Sequence, residues 1–207
     1  MPASGSIMCC SYKTMAKYRI FKHLHTINKH RFYVFLSCFR CGIPFRGLVH
    51  DLSKYSPAEF FPSARHYNGK KSPIGEERKE EGGYSSVFIH HTRKNRHHYE
   101  YWVDVTTGDI VLCPIPYVFA LEMCCDMISA SKVYNGKDFT RDKPLAFFEK
   151  TKDRSMMHSQ SKQFVEMVLT RYRDAGFKNI RKKDTKKLYQ ELYGSNHAIE
   201  KILVFSK

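Results

Sequence analysis

The chain has 207 residues, 42% of them hydrophobic, enough for one domain with a substantial core. Lys and Arg number 35 against 20 Asp and Glu, a formal net charge of +15 that attracts phosphate groups in nucleotides, nucleic acid or lipid headgroups. No run reaches the roughly eighteen uncharged apolar residues of a spanning helix, the N-terminus lacks the apolar stretch of a secretory signal, and the seven cysteines are irregularly spaced, so a disulfide scaffold is disfavoured and a reducing cytoplasm is the expected setting.

Residues 1–13 are expected to form a flexible N-terminus. From 14 to 41 an apolar row at Ile20, Ile27, Val34, Cys38 and Cys41, widened by Leu24 and Phe35, has helical periodicity with no Pro or Gly to interrupt it. His23 and His30 lie on the same row and point toward the core. Cys38-Phe39-Arg40-Cys41 matches half of a zinc or redox motif, but no second half exists, so these read as thiols packed on a helix face. Gly42-Ile43-Pro44 ends the helix, a second helix is expected over 45–54, and a short helical turn over 57–66. Residues 68–83, rich in Gly, Lys and Glu, read as a mobile surface loop, a candidate lid. Ser85 caps a helix running toward Tyr101-Trp102, and alternation from Val103 to Leu112 around Thr107-Gly108-Asp109 predicts a β-hairpin. A helix over 116–132 follows, closed by Asn135-Gly136. Helices at 161–175 and 185–193, with a third over 196–205, form a C-terminal flank, and the basic segment Arg181 to Lys187 reads as a solvated face.

Two segments concentrate metal-binding chemistry. His50-Asp51-Leu52-Ser53-Lys54 joins an imidazole to a carboxylate, and His90-His91 precedes His97-His98. Imidazole and carboxylate are ligands that Zn, Mn and Fe share, and a carboxylate can bridge two ions. If 45–54 is helical, His50 and Asp51 straddle one site with Lys54 on the same face, a cation placed to hold a phosphate. Asp126, with no Lys or Arg within a turn on its apolar helix, needs a buried partner. Of the histidine doublets, His91 with His98 is preferred over His90 with His97, because Val87 and Phe88 put His91 on the apolar side. Two helical turns span about 10.5 Å, so either pair needs a helix break near Asn95-Arg96 or two different metals. Exposed histidines in a basic stretch are the plainer alternative.

In order, His30, His50-Asp51, His91, His98 and Asp126 resemble the ligand order of the HD-domain superfamily. The stretches around Thr26 to His30, Gly47 to Phe60 and Asn95 to Trp102 also resemble a family of small bacterial and phage proteins of unknown function, a likeness covering roughly residues 14–135. The resemblance implies a mostly α, HD-like helical bundle over 14–135; with the hairpin and C-terminal helices read from the residues, the expected fold is mostly α with one small hairpin and a helical extension over 136–207 packed on the same core. It implies one divalent metal (Mn, Fe or Zn) held by His30, His50, Asp51 and Asp126, and a second, bridged by Asp51, held by His91 and His98. The short spacing of His91 and His98 departs from the superfamily pattern, and His66 is a candidate replacement.

Two chemistries suit such a centre. In the hydrolytic one, Asp51 and Lys54 are the catalytic residues of a phosphohydrolase acting on a nucleotide or related phosphoester. In the oxidative one, a di-iron pair activates dioxygen or peroxide. A third reading, from another class, is a non-catalytic basic protein that binds nucleic acid or a partner. Heme chemistry has no motif here. The expected partner is a small anionic, phosphate-bearing substrate.

Overall fold

The computed structural model describes residues 5–105, 108–194 and 200–203, with side chains from residue 19 to 202 within those ranges. Among the described residues it is mostly helical, with nine α-helices and one three-stranded antiparallel sheet.

α1 (Gly5–Cys41), at 37 residues the longest described helix, starts well before the apolar row. It ends where Gly42 takes a left-handed backbone (φ +80), with the Ile43 N–H bonded back to the Cys38 carbonyl at 2.9 Å, a helix-closing turn that glycine adopts without strain. α2 (Pro44–Val49) begins on proline and folds back along α1. A Cβ on Gly47 would lie 2.7 Å from the Phe35 Cα, so only glycine permits that approach. The expected helix over 45–54 does not continue: His50 is extended, Asp51 is left-handed (φ 52, ψ 30), and Leu52–Tyr55 form a separate 3-10 turn. α3 (Pro57–His66) follows after Ser56.

The expected loop over 68–83 contains a helix, α4 (Pro73–Glu80), which the polar composition concealed. Its buried residue is Glu77, whose carboxylate accepts hydrogen bonds from the Ser85 and Ser86 hydroxyls and from the Ser86 and Val87 N–H groups at the start of α5 (Ser86–Lys94). Ser85 caps α5, its hydroxyl accepting from the Phe88 N–H at 3.0 Å. α5 stops at Asn95, whose backbone is extended, rather than reaching residue 102, and a 3-10 turn occupies Tyr99–Trp102.

β1 (Val103–Val105) pairs with β2 (Asp109–Leu112), with Val103 opposite Leu112. Thr107, in the expected turn, lies outside the described residues. β3 (Glu200–Leu203) pairs with β2 on its other edge, Asp109 opposite Leu203. That strand replaces part of the helix expected over 196–205; the flanking residues 195–199 and 204–207 lie outside the described ones. The Glu200 carboxylate accepts from the Ser159 N–H and hydroxyl, which ties β3 to the N-terminus of α8.

α6 (Tyr117–Asn135) runs through the centre, followed by α7 (Lys143–Lys152), α8 (Ser159–Ala175) and α9 (Lys182–Tyr193). One core joins Val34 and Cys38 of α1, Leu121 and Cys125 of α6, Phe148 of α7, Val168 of α8 and Leu188 of α9. Cys38, Cys41, Cys124 and Cys125 are fully buried free thiols, with Cys41 and Cys125 sulfurs 3.6 Å apart, as the packed-thiol reading expects. No described helix is long and apolar enough to cross a membrane.

Candidate metal centre

Four stretches of chain deliver polar side chains to one buried place beside this core. α1 contributes His30, the break after α2 contributes His50 and Asp51, the end of α5 and the turn after it contribute His91, His97 and His98, and α6 contributes Glu122 and Asp126. The two helix breaks make the convergence possible. The left-handed Asp51 turns its carboxylate inward instead of following α2 round its axis, and asparagine and aspartate are the non-glycine residues that tolerate that backbone best. Asn95 ends α5 and is locked there, its amide donating to the Ser53 hydroxyl at 2.8 Å and to the His91 carbonyl at 2.8 Å, so that two consecutive histidines can both face inward.

Asp51 is 1% exposed and divides its oxygens between two groups of imidazoles. Oδ2 lies 3.2 Å from His50 Nε2 and 3.8 Å from His30 Nε2, and Oδ1 lies 3.3 Å from His91 Nε2 and 3.5 Å from His97 Nε2. On the first side Asp126 Oδ1 is 3.0 Å from His30 Nε2 and 3.6 Å from His50 Nε2. His30, His50 and Asp126 form one group with donor atoms within 4.8 Å of one another, and Asp51, His91, His97 and His98 form another. Lys54 Nζ sits 2.6 Å from Asp51 Oδ2, brought back by the 3-10 turn.

Nε2 of His30, His50, His97 and His98 and Oδ1 of Asp51 are buried without a properly directed hydrogen-bond partner. Leaving five such atoms unsatisfied in one place costs several kcal/mol in total, at about 1–3 kcal/mol each. A divalent cation takes this combination of imidazole nitrogen and carboxylate oxygen, so the residues present fit one.

The far sides of the same imidazoles are held by carboxylates. Glu122 Oε1 is 3.0 Å from His50 Nδ1 and 3.4 Å from His97 Nδ1, while its Oε2 accepts from Arg46 Nε at 2.7 Å. Glu59 pairs with His91 Nδ1 and His90 Nδ1, each at 2.8 Å. His50, His97 and Glu122 also lie close enough to hold an ion, but their contacts run through Nδ1 and Arg46 already engages Glu122, so this trio is the supporting layer. Such carboxylates fix the ring orientation and tautomer of metal-binding histidines.

Charge follows the geometry. Burial and the nearby Lys54 cation lower the His30 pKa, and burial with His97 and His91 lowers that of His98 well below the ordinary imidazole value, so both present a lone pair at neutral pH. Burial also opposes charge on His50, but Asp51, Asp126 and Glu122 outweigh it and raise its pKa. Asp51 and Asp126 are held well below the carboxylate range despite burial, and Glu122, bonded to His50 and His97, falls to about 2.

The structure therefore brings together all six residues singled out as metal ligands, His30, His50, Asp51, His91, His98 and Asp126. His97 joins His91 and His98, so the two doublets are not alternatives: His90 alone turns away, to Glu59. His66 does not replace any of them; it pairs with Glu80 at 3.2 Å. Lys54 is on Asp51 itself, not on a shared helix face. The sequence reading missed Glu59 and Glu122 and placed His97 only in the less favoured doublet. A signal existed for Glu122, which stands one turn before Asp126 in the same apolar helix and needs a partner for the same reason.

Residues 19–171 match the model of a family described as a family of unknown function, DUF5662. No curated protein and no solved structure matches the chain.

Proposed function

The chain belongs to the DUF5662 family, whose function is unknown, and from the cluster's chemistry together with the resemblance of its ligand order to HD domains we propose an HD-type two-metal centre in a phosphohydrolase acting on a nucleotide or related phosphoester. The observation that carries this reading is the convergence of the orphaned Nε2 atoms of His30, His50 and His97 on the two oxygens of a single buried aspartate, Asp51. His30, His50 and Asp126 would hold one ion, His91, His97 and His98 the other, with Asp51 shared between them. Bound divalent ions supply Lewis-acid polarisation of a phosphoryl oxygen and a water acidic enough to ionise near pH 7.

The remaining steps belong to the chain's own residues. Glu59 and Glu122 keep the Nδ1 sides of their histidines occupied, which leaves Nε2 facing the site. Lys54, His98 and Asp126 are the partly exposed members, at 30%, 22% and 20% of their side chains, and mark where substrate enters. Asp51 raises the Lys54 pKa against the effect of burial, so Lys54 stays charged. With Asp51 neutralised from its other sides, that ammonium is available to hold the non-bridging oxygens as negative charge grows on them. The +15 charge of the chain draws anionic substrates to the opening.

The test pairs elemental analysis of anaerobically purified protein with a hydrolysis panel of nucleotides and simple phosphomonoesters and diesters, run on the wild type and on Asp51→Asn. Asparagine tolerates the left-handed backbone but cannot bridge two cations. The expected wild-type result is about two equivalents of Mn, Zn or another divalent ion with phosphoester turnover. The folded variant should lose metal and at least about a hundredfold in turnover. A folded Asp51→Asn protein that keeps its full metal content would overturn the bridging role. Iron at about two equivalents with no turnover would replace hydrolysis by dioxygen or peroxide chemistry. No metal after reconstitution would leave the non-catalytic binding reading.

A further inference from the structure

The outward face of α1 has a composition the metal centre does not use. The first acidic residue of the chain is Asp51, so neither α1 nor α2 carries a carboxylate side chain. At about 100° per residue, Phe21, Phe32 and Phe39 fall within about 20° of one another along α1, and Lys22, Lys29 and Arg40 form a parallel row about 80–100° round the axis. The buried residues Ile27, Val34, Cys38 and Cys41 lie on the opposite side. All three phenylalanines are more than half exposed, and the three cations are exposed. α2 extends the apolar surface: it crosses α1 at Gly47, packed on Phe35, with Phe45 and Leu48 exposed on either side of the crossing at 69% and 60% and Leu52 exposed just beyond.

Exposed large apolar side chains grouped in this way mark an interaction surface. We propose that this α1–α2 face docks the protein on an anionic lipid bilayer, with Phe32, Phe39, Phe45 and Leu48 entering the headgroup and acyl boundary and Lys29 and Arg40 engaging lipid phosphates. Charge complementarity selects the occupant. A face with cations, no acids and a net charge of +15 behind it repels a second copy of itself and attracts a negative surface. The apolar members separate a bilayer from a nucleic acid: Leu48 and Leu52 have no ring for a base to stack on, whereas an acyl boundary accepts aliphatic and aromatic groups alike. Docking needs no spanning segment.

The test is sedimentation of the full chain with vesicles of phosphatidylcholine alone and of equal parts phosphatidylcholine and phosphatidylglycerol. Binding to the anionic vesicles that weakens with added salt is expected. Lys29→Glu with Arg40→Glu should weaken it by at least about tenfold. Phe45→Ser with Leu48→Ser should do likewise, with metal content and helix content retained. Phe32→Ser with Phe39→Ser provides a second apolar variant should the first fail to fold. Absence of wild-type binding to anionic vesicles overturns the proposal, as does equal binding to neutral ones. It is also overturned if the face instead binds a single-stranded oligonucleotide, or forms a dimer, that the same substitutions abolish.

Discussion

At the scale of single residues, the site depends on carboxylates that touch no ion as much as on those that would. Glu122 is fully buried and joins the two halves of the cluster, because one of its oxygens faces His50 Nδ1 from one group and His97 Nδ1 from the other. Glu122→Gln keeps its shape but removes the charge that orients both rings. Its expected effect is a loss of about 10–100-fold in metal affinity, read by competition with a chromophoric chelator, with the fold retained. An affinity equal to wild type would assign Glu122 to charge balance with Arg46 alone. His30, the His50-Asp51 pair and Asp126 were legible in the sequence because their order resembles a known ligand series. His97 was not separable from His90, since the choice depends on the backbone leaving the helix at Asn95, and no periodicity of side chains reports a helix end fixed by a hydrogen bond to the distant Ser53.

At the scale of elements, two contacts set the geometry. Gly47 allows α2 to lie against α1, and α2 leads directly into His50 and Asp51 while α1 carries His30. An added Cβ would meet the Phe35 Cα at 2.7 Å and the Cys38 Cβ at 2.8 Å, backbone and a fully buried side chain that have little room to yield. Gly47→Ala is therefore expected to cost about 1–3 kcal/mol in chemical denaturation and to lower metal content by moving His50 away from His30. Unchanged stability would show that α2 shifts freely. The second contact is the one between α4 and α5. Burial raises the Glu77 pKa, but the Ser85 and Ser86 hydroxyls and the α5 N–H groups outweigh it, so the folded-state value is depressed. The resulting stabilisation is present above the unfolded carboxylate pKa of about 4.3 and is lost as pH falls through the lower folded value. Glu77→Gln should thus be less stable than wild type by about 1 kcal/mol at pH 7, with the gap closing in acid; a gap that persists there would locate the effect in packing. α4 was hidden from the sequence reading because its buried face contains a carboxylate, and apolar periodicity has no means of registering that.

At the scale of the whole molecule, the helical class was readable from periodicities, capping residues and proline positions; α3, α6, α8 and α9 fall close to their expected bounds, and α1 ends where expected but begins at Gly5, inside the expected flexible N-terminus. What the spacing could not show was pairing between distant segments. β3 is a short strand of mixed polarity whose place is set by β2 and by the Glu200 contact with α8, so its local pattern was mistaken for helix. α7 went unassigned between a glycine turn and α8, although Leu145 and Phe148 bury there. The pairing of β2 with β3 closes a loop of about ninety residues, whereas β1 and β2 are only a few residues apart in the chain, and closing the longer loop carries the greater entropic cost during folding. Every side chain of the candidate metal centre lies between His30 and Asp126. A nascent chain that has not yet released residue 200 from the ribosome already carries the full set, so under the proposed two-metal reading the ligands are all available before the sheet is complete.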